Sequence, residues 1–199
     1  MNKLLYLLFY RPPFSQLRQD EYKQADRFML KLVFLHWVLV SLSGMILFHD
    51  YILGNIAGGL LFFLTLYTYS YYSGSQLFRN IVALVLLSYS VVMIQQSLGR
   101  FEMHFHIFVA LSFLIIYRDM KNITLASVFI IVHHLIFNYL QEYNIHLFER
   151  PIIVFNYGCG LDIVFLHAFF VIFEWIVLSK MVILMESRFM ELVDRKSVV

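Results

Sequence analysis

Charge is scarce in this sequence. Asp, Glu, Lys and Arg make up 14% of its 199 residues, against about 25% in soluble domains, so a water-solvated globule and a disordered chain are both excluded. The single cysteine, Cys159, rules out a disulfide-built scaffold. Three prolines and eight glycines are too few for a collagen-like or low-complexity chain. The formal net charge is only +2 and no basic patch carries interleaved aromatics, so no nucleic acid is expected as a partner. What is plentiful is apolar: 61% hydrophobic residues, with 21 Phe and 13 Tyr, and a mean hydropathy of +0.74. The expected fold class is an all-α integral membrane protein with the lipid bilayer as its solvent.

About 20 apolar residues cross the hydrocarbon as a helix. Runs of that kind fall at roughly 27–48, 52–72, 78–97, 101–117, 122–141 and from 160 to 180 and beyond, which predicts a bundle of six transmembrane helices. The fourth run is slightly short. Lys3, Arg11, Arg18, Lys23, Arg27, Arg79, Arg118, Lys121, Arg188, Arg195 and Lys196 fall on one side, and only Arg100 and Arg150 on the other. Both termini are therefore expected to be cytoplasmic. The chain divides into an N-terminal cytoplasmic or interfacial segment 1–26, a membrane domain 27–185 and a cytoplasmic tail 186–199. Met1 to Tyr10 meets Arg11-Pro12-Pro13 with no small-residue cleavage site after it, so it reads as a membrane-lying segment rather than a signal peptide. The glycines of Gly54-Asn55-Ile56-Ala57-Gly58-Gly59 lie within a span and are expected to serve close helix packing.

Ionisable side chains at bilayer depth are costly and each asks for a reason. His104, His106, His133, His134 and His167 lie in the predicted fourth to sixth helices and His36 in the first, with Glu102 and Glu174 beside them. With about 1.5 Å of rise per residue, these groups reach overlapping depths in the outer half of the bundle. Glu102 and His106 share a helix face, with His104 pointing elsewhere. His133 and His134 diverge by about 100°, so only one of them can enter a narrow site. Neutral imidazole is the commonest metal ligand and carboxylates add charge compensation. The expected cofactor is a transition metal (iron, copper or zinc), mononuclear or dinuclear, or alternatively a haem between two opposed imidazoles. The competing reading is a polar network that holds the bundle together. His49 and His146 read as interfacial, Asp162 equally as a cap or interfacial charge or as a ligand, and the nine methionines as packing, since they and Cys159 are too scattered for a copper path.

The run Glu102-Met103-His104-Phe105-His106-Ile107-Phe108, then Tyr117-Arg118-Asp119, then Val132-His133-His134, resembles the multi-helix membrane region found upstream of some bacterial methyl-accepting chemotaxis proteins and diguanylate cyclases. The likeness extends to His36-Trp37, Val154-Phe155-Asn156, His167-Ala168 and Glu174, nearly the whole chain. It implies a sensory input domain in a bacterial inner membrane. Two positions depart from the family pattern: Arg118-Asp119-Met120 replaces an expected Asp-Trp, and Tyr157 stands where a further histidine is expected, which makes Tyr157 an additional candidate ligand. The resemblance also implies a cytoplasmic output domain or partner protein, which these residues do not include.

Leu178, Val182, Met185, Phe189 and Leu192 repeat with four-three spacing, as a short coiled-coil seam would, and a parallel homodimer is expected from it. The functional expectation is a sensor that passes a ligand or redox change inward along the sixth helix. A membrane metal-dependent oxidoreductase using the same residues is the alternative, and a metal or proton transporter a third.

Overall fold

The computed structural model describes residues 16–147 and 149–197, with side chains from 18 to 147 and 149 to 192. The expected membrane-lying segment Met1–Tyr10 lies outside the described residues. Six α-helices run in chain order through the described residues: α1 Gln16–Leu47, α2 Leu53–Tyr72, α3 Gln76–Gln96, α4 Phe101–Phe113, α5 Met120–Glu142 and α6 Leu161–Ser197. A 3₁₀ turn, Leu114–Tyr117, extends α4, and a two-residue hairpin pairs His146–Leu147 (β1) with Arg150–Pro151 (β2). Four helices are long and apolar enough to cross a membrane: α1 from Arg18, α3, α5, and α6 to Leu192. The helix containing α4 is apolar but shorter. Along α2 the hydroxyls of Thr65, Thr68 and Ser70 bond back to carbonyls one turn earlier at 2.9 Å, which satisfies their polarity inside the helix.

The α3 helix is the hub. Phe78, Val82, Ala83, Leu86, Leu87 and Tyr89 are wholly buried, while Phe165, Phe169 and Phe173 on α6 and Leu60, Phe63 and Tyr67 on α2 face outward. Such an inverted surface, apolar outside and packed within, is stable only against lipid or another apolar partner. Gly58 admits the indole of Trp37, whose Cδ1 would lie 2.9 Å from a Cβ at that position. Its carbonyl also accepts the Tyr89 hydroxyl at 2.9 Å.

Each connection has a local cause. Asp50 caps α2 by accepting from the amides of Ile52 (3.0 Å) and Leu53 (2.9 Å), and its other oxygen pairs with Arg150 at 2.6 Å. Arg118 takes a left-handed backbone (φ 49) that stops the fourth helix, and Asp119 then caps α5 through the Lys121 amide at 3.0 Å. Gly99, at φ +73, ends the third helix; a Cβ there would sit 2.8 Å from the Phe155 amide nitrogen. Its carbonyl accepts from Asn156 at 3.1 Å, so this turn supports the loop leading to α6.

Both ends of the described chain meet at the opposite end of the bundle. Arg18 on α1 and Arg118 both pair with Glu186 on α6, the latter at 3.6 Å, and Arg118 also pairs with Glu21. The Phe189 ring lies 4.1 Å beneath the Arg118 guanidinium. Leu178, Val182 and Phe189 are thus buried within the chain, whereas Met185 and Leu192 stay exposed. Most of the four-three stripe is used inside one molecule. Arg79 is wholly buried, with Asp119 at 3.8 Å and the Tyr22 ring at 3.9 Å.

Candidate metal centre

Three helices each deliver one imidazole to a common point at the loop end of the bundle. His104 sits one turn into α4, His134 near the middle of α5 and His167 two turns into α6. Their ring centroids form a nearly equilateral triangle: 5.4 Å from His104 to His134, 5.2 Å from His104 to His167 and 5.3 Å from His134 to His167. One ring nitrogen of each lies within 4.8 Å of the others.

The hydrogen bonds show which nitrogen of each ring is free to bind. Nδ1 of His104 faces the Arg100 carbonyl at 3.1 Å, that of His134 the Ile130 carbonyl at 2.8 Å, and that of His167 the Ile163 carbonyl at 2.9 Å. A carbonyl only accepts, so each Nδ1 carries the proton and donates it. Every Nε2 is thereby left with a free lone pair. The Nε2 atoms of His104 and His134 are buried with no partner. An orphaned buried acceptor costs about 1–3 kcal/mol, a cost that an electrophile at the centre would offset. A backbone carbonyl fixing the far nitrogen is also the usual support of a metal-bound histidine. Nitrogens bonded to one tetrahedral ion at about 2.0–2.1 Å stand about 3.3 Å apart, so binding requires each to move inward by about 1 Å. The residues fit a transition ion held by three neutral imidazoles.

Phe155 closes the site. Its ring lies 4.7 Å from His167, 5.6 Å from His134 and 5.7 Å from His104, and it is wholly buried. Its backbone is held by Gln141, whose Oε1 accepts from the amides of Val154 (2.8 Å) and Phe155 (3.0 Å) and whose Nε2 donates to the Phe155 carbonyl at 2.8 Å. Asn138 Oδ1 accepts from Gly160 at 2.8 Å and Gln95 Nε2 donates to the Pro151 carbonyl at 2.8 Å. Three side-chain amides on α3 and α5 thus fix the irregular segment over the histidines.

The other candidate residues lie elsewhere. His106, two residues from His104, faces the opposite side of α4, where its Nδ1 meets the Ser90 hydroxyl at 2.8 Å. Its ring is 5.1 Å from that of His36, whose Nδ1 is held by the Leu32 carbonyl at 2.7 Å. His36 and His106 therefore form a separate pair among Tyr89 and Phe113. His133 diverges from His134, lies with its ring tilted 4.1 Å from that of Phe137 and lines a groove of about 280 Å³ with Ser88 and Val91. Both of its nitrogens are buried without a partner. Glu102 is exposed in the first turn of α4, where a carboxylate suits the positive end of the helix dipole. Glu174 is half-buried on α6, with one carboxylate oxygen unpartnered. Neither carboxylate belongs to the three-histidine group. Tyr157 is 55% exposed and lines a cavity of about 340 Å³ together with all three histidines. Partial burial raises its phenol above the usual pKa, so it presents a neutral hydroxyl.

Sequence reasoning passed over Gln141, Asn138, Gln95 and Ser90. The available signal was a set of amides near helix ends facing the one long loop. Fold and site together define a helical chain with four helices long and apolar enough to cross a membrane and one three-histidine cluster among its described residues. No family model matches it, and no curated protein or solved structure matches it significantly.

Proposed function

We propose that this chain is a sensory input protein of a bacterial inner membrane, crossing it six times with both termini in the cytoplasm, and that it binds one transition-metal ion through His104, His134 and His167. The observation that carries the reading is the shared hydrogen-bond pattern of these rings: each Nδ1 is committed to a carbonyl, so the three Nε2 lone pairs are left for one centre. The triangle favours a single ion over a haem, because a porphyrin needs two imidazoles on opposite faces of a flat macrocycle. Iron, copper and zinc all accept this donor set. The resemblance of the EMHFH and HH segments to bacterial sensor modules supports the sensory role.

The route inward is α6, which carries His167 near one end and Glu186 near the other. A displacement of His167 shifts a helix whose far end is held by Arg18 and Arg118, and an output partner would read the tail. Such a change needs a stimulus with different affinities for two arrangements of that helix.

Purified protein, loaded in turn with zinc, copper and iron and freed of excess, is expected to retain one ion per chain by elemental analysis. Failure to retain any of the three overturns the reading. A metal-dependent oxidoreductase is the second reading, favoured by the cavity of about 340 Å³ beside the histidines. Turnover of a lipophilic substrate would establish it.

A further inference from the structure

The histidine cluster borders a cavity of defined character. The cavity of about 340 Å³ is walled by Phe101, Phe105, Phe108, Leu166 and Phe170, and its polar lining residues are the three histidines and Tyr157. Phe101, Phe105, Leu166 and Phe170 are each about half exposed on the outer face of the bundle, so the cavity meets that face between α4 and α6. At about 30 Å³ per water, its volume equals about eleven waters, far more than a diatomic molecule needs. It matches the lower range of small-molecule sites.

Charge is the second constraint. All three donors are neutral imidazoles, and neither Glu102 nor Glu174 joins them. A divalent ion held by neutral donors in apolar surroundings lacks the counter-charge that burial demands. Three protein ligands also leave a fourth position open. An anion bound there from the cavity side supplies the missing ligand and cancels one of the two charges, and the phenylalanine walls select a hydrocarbon body behind it.

We propose that the ligand of this centre is a lipophilic monoanion, a medium-chain carboxylate in chemical class, which enters between α4 and α6 and places its head on the metal and its chain among Phe105, Leu166 and Phe170. This proposal rests on the metal reading above. No covalent step is involved: the carboxylate displaces whatever occupies the fourth position and leaves unchanged.

The test uses the full chain in detergent, loaded with Co²⁺, whose visible absorption reports the fourth ligand. Acetate, hexanoate, decanoate and decanol are titrated. Affinity is expected to rise several-fold for each pair of methylenes buried, so that decanoate binds at least a hundred-fold more tightly than acetate. Decanol, which partitions into the micelle at least as well, should leave the spectrum unchanged. Leu166→Trp, which fills the cavity, should flatten the chain-length dependence while cobalt stoichiometry stays at one. Equal affinity for acetate and decanoate, an equal response to decanol, or an unaltered chain-length dependence in Leu166→Trp overturns this inference and leaves the metal site standing. Failure to bind cobalt overturns this inference, and failure to retain zinc, copper and iron as well overturns both.

Discussion

At the end of the bundle where the two ends of the described chain meet, charged side chains are paired: Arg118 with Glu21 and Glu186, Arg18 with Glu186, and Arg79 with Asp119 and the Tyr22 ring. At the loop end, two imidazole nitrogens of a three-ring cluster are buried with none. Both arrangements are expensive to bury, and they are resolved differently. Opposite charges compensate one another within the chain, whereas convergent lone pairs of one kind repel and are compensated only by something the chain does not encode. The first arrangement is a fastening. The second is the centre we propose to hold a metal.

Substitutions at the two ends should therefore fail in different ways. The largest effect is expected from His104→Ala, His134→Ala and His167→Ala, each of which should lose at least a hundred-fold in metal affinity, measured by competition with a chelator. None should lose more than about 1 kcal/mol of stability against the metal-free parent, since His104 and His134 each carry an orphaned buried nitrogen and His167 is only partly buried. Next, Gln141→Leu strips partners from two amides and a carbonyl of the loop and should cost about 3 kcal/mol in detergent unfolding. It should also weaken metal binding about ten-fold by freeing Phe155. Glu186→Ala leaves Arg18 and Arg118 without that carboxylate and should cost about 2 kcal/mol, between the values for exposed and buried pairs, with metal stoichiometry unchanged. Smallest of all, His36→Ala, His106→Ala and Glu102→Gln should leave metal affinity within about two-fold, because these side chains lie outside the triad. A large loss in any of the last three would merge the two histidine groups and break the contrast.

Much of the architecture was legible in advance. Six apolar runs became six helices, and their ends fall within a few residues of the turn signals, except that α1 begins at Gln16 rather than near Arg27. Its first three turns carry polar residues that no hydropathy window would include, yet Tyr22 and Ala25 there are buried, held by contacts with distant segments. The site was legible only in part. His104, His134 and His167 are among the candidates, but the helical spacing pairs Glu102 with His106 on one face of α4 and points His104 elsewhere. Helical periodicity relates residues on one helix and is silent on which neighbour each face meets. The i,i+2 separation sends His104 and His106 to opposite sides of α4, one toward α5 and α6, the other toward α1 and α3.

Composition and spacing alone determined that this chain is helical and apolar outside, since those follow from hydrogen-bond geometry and transfer free energy acting over a single segment. Which three of eight histidines share a centre, that Phe155 roofs them and that the carboxylates stay apart were decided only when six helices packed. Convergence is a property of distances between segments, and no one-dimensional pattern carries it.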